Sequence, residues 1–151
     1  MQRETLTVGQ VARGADLNVN TLRSWFMRGH LSLGVGDLVS PGSTIARGLG
    51  RVTVLAICIF GRLIEAGVRP DIAELLTTYA VRIASSDSRR ELFIHHIDID
   101  ASPNVFVTGG FVDAADLSRI VASARVSVVV PFAAIERAVA DMFRMEDANA
   151  A

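Results

Sequence analysis

The chain has one cysteine, no lysine and few aromatic side chains: one Trp, one Tyr and seven Phe among 151 residues. A lone cysteine, Cys58, excludes an intrachain disulfide framework and a Cys-x-x-Cys zinc site. Its apolar neighbours make it read as a buried structural thiol, so metal sensing through thiolates is not expected and no metal site is assigned. The fifteen basic side chains are all arginine, which fits a G+C-rich coding sequence and says nothing of function. A Gly-x-Ser-x-Gly elbow, a P-loop and a dinucleotide fingerprint are all missing, so neither catalytic residues nor a cofactor are expected. A membrane span is missing too: the most apolar stretch, residues 52–66, is interrupted by Gly61, Arg62 and Glu65 and falls short of the roughly 20 residues a span requires. It reads as a core helix. With no N-terminal signal pattern, the expectation is a cytoplasmic protein without a membrane partner.

What the chain does have is apolar mass and separated charge. Half of its residues are hydrophobic and its mean hydropathy is +0.39, high for a chain with so small an interior. Some apolar surface is therefore expected to face a partner, most simply a second copy. The net charge is −1, which argues against a general nucleic-acid coater, but residues 1–62 hold seven Arg against three acidic residues, and residues 63–151 hold eight Arg against thirteen. The first part is thus net positive and the second net negative. Such a division directs one end of a molecule at phosphates and limits non-specific adhesion at the other.

The positive part opens with two short helical patterns. Thr7 is placed to cap a helix that buries Val8, Val11, Ala12 and Ala15 and stops at Gly14. Asn18 is placed to cap a second one, 18–28, because its side-chain carbonyl accepts a bond from a free amide one turn in, and Gly29 closes it. On that second helix Val19, Leu22 and Phe26 fall on one side with Trp25 beside them, and Asn20, Thr21, Ser24 and Arg28 fall on the other, flanked by Arg23 and Met27. Two helices joined by a tight turn, the second with a polar face, outline a helix-turn-helix. Asn and Arg match adenine and guanine edges in the major groove, and Ser or Thr bond to bases or phosphates. An amphipathic hairpin whose polar face meets only water has the same pattern.

The segments T-V-G-Q-V-A (7–12), T-L-R-S-W (21–25) and R-G-H-L (28–31) resemble the MerR family of winged-helix transcription regulators, whose pattern is roughly T-I-G-E-[LV]-A, T-[LI]-R-Y-[WY]-E and G-L-[LI]. Thr7, Gly9, Val11, Ala12, Thr21, Leu22, Arg23, Trp25, Gly29 and Leu31 fall on it. Ser24, Phe26 and His30 depart from it, where an aromatic, Glu and Leu are usual. The resemblance implies phosphate contacts from Arg23, with Asn20, Thr21 and Ser24 nearest the groove. It also implies a β-hairpin wing in the glycine-rich residues 31–51, with Arg47 and Arg51 against the sugar-phosphate backbone and Ser43 and Thr44 as neutral partners. A flexible loop with two solvated arginines is an equally simple alternative. A later Gly67-Val68-x-Pro70-x-x-Ala73 step carries the resemblance weakly to about residue 77.

Pro70 opens a helix with Ile72, Leu75, Leu76, Tyr79 and Ile83 at helical spacing. Beyond a polar break at 85–90, residues 92–100 and 104–112 read as two strands, Asp113 or Asp116 as a helix cap, 125–130 as a third strand, and Pro131 as the start of a terminal helix with Phe132, Ile135, Val139 and Phe143 along one side. No sustained heptad run is found, unlike the long dimerising coiled coil of many MerR-type regulators. His96, Asp98 and Asp100 alternate onto one strand face, a spacing open to a metal or proton but equally produced by an edge strand facing water; His95 reads as packed or interfacial.

The expected fold class is α+β: a MerR-like winged helix-turn-helix at 1–84, followed by a small α+β module at 85–151 for dimerisation or effector binding. The expected function is a sequence-specific transcription regulator that binds double-stranded DNA as a homodimer on an inverted repeat through Asn18, Asn20, Thr21, Arg23, Ser24, Arg28, Arg47 and Arg51. A small-molecule effector or a protein partner is expected at the second module. The alternatives are a DNA-architectural protein of the excisionase or phage-repressor kind, and a protein-interaction module such as an anti-activator or antitoxin.

Overall fold

The structure is a computed structural model that describes residues 4–41, 47–84, 91–98, 106–122 and 127–149. It is a mixed α and β fold in which helices dominate. The first helix, α1 (Val8–Gly14), starts at Thr7 with a reciprocal cap: Gln10 N donates to Thr7 Oγ1 at 3.3 Å and Thr7 N donates to Gln10 Oε1 at 2.8 Å. These two bonds satisfy amides that a helix start otherwise leaves unpaired. Helix α2 (Val19–Met27) starts at Asn18, whose Oδ1 accepts from the amides of Asn20 at 2.9 Å and Thr21 at 3.4 Å. At its end Gly29 takes φ +78°, and the amides of Gly29 and His30 reach back to the carbonyls of Phe26 and Trp25. That double closure needs a left-handed residue, which glycine adopts without steric cost.

A strand β1 (Thr5–Leu6) pairs antiparallel with β2 (Leu49–Gly50), tying the segment before α1 to the start of α3 (Arg51–Glu65). Leu38 bridges to Gly48, closing the base of the intervening loop. Helix α3 is the centre of the molecule. Its Val54, Ile57, Ile59 and Phe60 are wholly buried, as expected of a helix with neighbours on several sides. Helix α4 (Pro70–Ala84) packs on one side and α6 (Phe132–Asn149) on another. The buried residues of α6 are Phe132, Ile135, Val139 and Phe143, the stripe its spacing predicts.

The remaining strands form an antiparallel sheet in the order β4 (Phe106–Val112), β3 (Leu92–Asp98), β5 (Ser127–Val130). Phe93 sits opposite Phe111 and Val130, and His95 sits opposite Gly109 and Val128. Rings link this sheet to the helices: Tyr79 of α4 meets Phe93, Phe93 meets Phe111, and Phe111 meets Phe132 of α6, all edge to face with centroids 4.7–5.9 Å apart. Gly109 is required at its position, because a Cβ there would stand 2.3 Å from the Ile94 carbonyl oxygen. The apolar core is one connected cluster running from Leu6 to Phe143, so the residues on either side of the polar break at 85–90 share an interior.

Two expectations need correction. Trp25, not Phe26, joins Leu22 in the buried stripe of α2, because its ring packs edge to face on Phe60 with centroids 4.9 Å apart, while Phe26 and Val19 are half-buried. Neither Asp113 nor Asp116 caps a helix through its side chain: Asp113 precedes a 3-10 turn (Ala114–Asp116) leading into α5 (Leu117–Ala122), and the amide of Ala114 instead donates to Glu91 Oε2 at 3.0 Å.

Candidate nucleic-acid interface

With Leu22 and Trp25 turned inward, the outer arc of α2 consists of Arg23, Met27, Asn20, Ser24 and Arg28. Asn20, Arg23, Met27 and Arg28 are exposed, Met27 to 74%. The helix itself carries no acid, the sequence holding none between Asp16 and Asp37, and the acid that reaches its C-terminal end is Glu74 of α4, whose Oε2 lies 3.4 Å from His30 Nδ1. Ser24 is half-buried and its hydroxyl donates to the Thr21 carbonyl at 3.0 Å, leaving its oxygen to accept. Thr21 is exposed but lies at the edge of the arc, where it lines a groove beside Trp25. Asn18 is occupied as the cap. Of the residues the sequence assigned to DNA on this helix, Asn20, Arg23 and Arg28 thus share one open surface, with Ser24 and Thr21 at its margin.

Ion pairing separates these arginines from most others. Arg62 pairs with Glu65 at 3.0 Å, Arg69 with Asp71 at 2.6 Å, Arg119 with Asp116 at 3.2 Å, and Arg144 with Asp141. Arg13 reaches Glu146 at 3.0 Å. Arg51 lies with its guanidinium carbon 4.8 Å from the Phe143 ring centroid, and Arg82 lies over Tyr79. Arg23, Arg28, Arg47 and Arg137 have no such partner among the described residues, and only Arg137 lies outside the first third of the chain. The Arg69 guanidinium holds the Asp71 carboxyl below its ordinary value, chiefly through their hydrogen bond.

The loop after α2 is held by one carboxylate. Asp37 accepts from Gly34 N at 2.8 Å, from Gly50 N at 2.6 Å and from Thr53 Oγ1 at 2.7 Å. Gly50 opens α3 without a capping side chain of its own, so Asp37 serves as that cap from thirteen residues upstream and fixes the loop to the helix start. Sequence reading missed this role, although an Asp in a Gly-Val-Gly-Asp turn is the signal that pointed to it. Arg47 is exposed, its amide bonded to the Leu38 carbonyl at 2.7 Å. Arg51 is placed otherwise than expected: it begins α3 and is engaged with Phe143 of α6. Ser43 and Thr44 lie outside the described residues. At the tip of the Gly34–Asp37 turn Val35 is fully exposed, with Leu38 and Val39 half exposed after it.

Other groups bear on alternative chemistry. His95 is fully buried between Phe93 and Tyr79, the packed position its alternation indicated. The side chains of His96 and Asp98, and Asp100 as a whole, lie outside the described residues. Among the described residues no cluster of three His, Cys, Asp or Glu is arranged to hold a metal ion, and no helix is long and apolar enough to cross a membrane. Burial pushes the Cys58 thiol up to about 11, Arg62 opposing it weakly, so at neutral pH it is protonated and a poor nucleophile.

A scan against models of protein families finds none that matches the chain, and a search of curated proteins finds no match.

Proposed function

We propose that the protein is a sequence-specific DNA-binding transcription regulator with a MerR-like winged helix-turn-helix, acting in the cytoplasm as a homodimer on an inverted repeat. The observation that carries this reading is the outer arc of α2, where Asn20, Arg23 and Arg28 are exposed on a helix that carries no acid, and neither arginine has an ion-pair partner among the described residues. An exposed guanidinium left unpaired is available to a phosphate or a guanine edge, and an exposed amide to adenine. The bridge between Leu38 and Gly48 supports a wing beside that helix, with Arg47 as its cation. Arg51 is not assigned a contact, because its guanidinium is engaged with Phe143. Selection of bound sequences from a randomised DNA pool at near-physiological salt tests the proposal. Recovery of an inverted repeat bound about a thousandfold more tightly than random DNA is expected, and failure to enrich any motif would overturn it.

A DNA-architectural role is the second reading, favoured by the exposed Val35, Leu38 and Val39. Apolar side chains at a loop tip are the kind that wedge between base steps and kink a duplex. Bending of the selected DNA that is lost on Val35→Ser would support this role, and an unbent complex would remove it.

A further inference from the structure

Where the α1–α2 turn, α3 and α6 converge they leave a groove of about 780 Å³. It exists because small residues meet there: Gly61 of α3 and Ala134 and Ala138 of α6 leave open the width that larger side chains would fill. Its apolar lining includes Leu17, Trp25, Ile135 and Met142, and its volume falls in the range of small-molecule pockets, roughly 300–1,000 Å³. The lining holds three ionisable groups of ordinary charge, Asp16, Arg62 and Glu65. Arg62 and Glu65 pair with each other at 3.0 Å and cancel. Asp16 has no ion pair among the described residues, so the groove carries a residual negative charge at the turn.

The position of that charge is fixed by the backbone. Asp16 sits at φ +55°, in the left-handed region that Asp and Asn tolerate better than other non-glycine residues, and the amides that follow it close the turn, with Leu17 N bonded to the Ala12 carbonyl at 2.8 Å. An apolar trough with one unpaired carboxylate at its edge complements a molecule that has an apolar ring and a single positive charge. We propose that this groove binds a small hydrophobic amine, its ring against Trp25 and Met142 and its ammonium group toward Asp16. An occupant there touches α2, α3 and α6 at once, and so lies against the inner side of the helix assigned above to DNA. Its consequence for DNA binding rests on that assignment; the binding itself does not.

Trp25 is the only tryptophan of the chain, so its emission reports the groove directly. The full chain is titrated with phenylbutylamine, phenylbutanol and phenylbutanoate, three probes that share a ring and differ in charge. A saturable change is expected with the amine, about tenfold tighter than with the carboxylate, because one is attracted to Asp16 and the other repelled. Asp16→Asn, which keeps the shape and tolerates the backbone angle, is expected to reduce that preference to about twofold or less. Ala138→Phe, at an exposed helix position, is expected to fill the groove and abolish the response. No saturable response to the amine, equal affinity for amine and carboxylate, or an unchanged preference in Asp16→Asn would each overturn the proposal. A chain that binds the amine but selects no DNA would overturn the regulator reading alone, and one that selects DNA while Trp25 ignores the amine would overturn this one alone.

Discussion

Helices α2 and α6 are both amphipathic and both bury one stripe in the same core, yet they treat charge in opposite ways. On α6, Arg144 is neutralised by Asp141 one turn away, and Glu146 reaches across to Arg13 and Gln10 of α1, the latter at 2.7 Å. On α2 there is no acidic residue at all, and Arg23 and Arg28 face outward alone. Exposed ion pairs contribute little stability, so pairing on α6 chiefly reduces free charge on that surface, where Arg137 is the arginine left without a partner among the described residues. Leaving the charge free on α2 gives that short helix and the loop that follows it three of the four described arginines without an acid or ring partner, Arg23, Arg28 and Arg47. The contrast teaches that net charge, here −1, is a poor guide to what a surface can bind. The placement of acids relative to arginines is the better guide.

The largest effect is expected in the core that both helices share. Ile135→Asp puts a charge into the interface of α6 with α3, where Ile135 is 7% exposed, and is expected to lower folding stability by about 3–5 kcal/mol. Ile135 lies in the interior of its own chain, so denaturant unfolding should show the loss at any protein concentration. A mutant with unchanged unfolding that only dissociates would contradict this packing.

Cys58, on α3 between the two helices, reports on the same interior. A thiol whose pKa is raised from 9.0 to about 11 holds about one hundredth of the thiolate of an unperturbed cysteine near pH 8, and alkylation of the folded chain should be slower in proportion. The contribution of the thiol to stability is constant below pH 9 and declines as pH rises toward 11, because the unfolded chain releases its proton first. Alkylation at the rate of the denatured chain would show that burial does not suppress this thiolate.

The outer arc of α2 is sharpened by single substitutions. Asn20→Ala and Arg28→Ala are expected to relax base preference at one position each, at about 1–3 kcal/mol, whereas Arg23→Ala should weaken binding to all sequences alike. Affinities measured on the selected sequence and its single-base variants separate the two effects, and equal losses on specific and random DNA for all three would remove the division of roles. The smallest effect belongs to α6. Glu146→Gln loosens its hold on Arg13 and should cost about 1 kcal/mol or less in thermal unfolding, less at high salt; a larger loss would mean the clasp on α1 matters more than an exposed pair can explain.

Local features were legible in the sequence because they depend on residues one turn apart. Thr7 and Asn18 as caps, Gly29 as the stop of α2, and the stripe of Phe132, Ile135, Val139 and Phe143 are all of this kind. What escaped notice depends on partners far along the chain. Trp25 is buried because Phe60 lies beneath it, Arg51 is held by Phe143, Glu91 caps the turn at Ala114, and Asp37 caps α3. The groove has no sequence signature either, since Gly61, Ala134 and Ala138 matter only where their helices converge. For the candidate interface, helical periodicity put Asn20, Thr21, Ser24 and Arg28 on the open face with Arg23 on its flank, and all but the half-buried Ser24 are exposed, but it could not reveal that most other described arginines find acids or rings while Arg23 and Arg28 do not.

The salt dependence of DNA affinity tests that last point most directly. For the selected sequence, the slope of log K against log salt is measured for the wild-type chain, for Arg23→Ala with Arg47→Ala, and for Arg119→Ala with Arg144→Ala. Each phosphate contact contributes about 0.9 to the slope. The first pair is therefore expected to flatten it by about two per chain and the second to leave it unchanged. Equal slopes in all three proteins would contradict the claim that the unpaired arginines of α2 and its neighbouring loop are the ones that meet DNA.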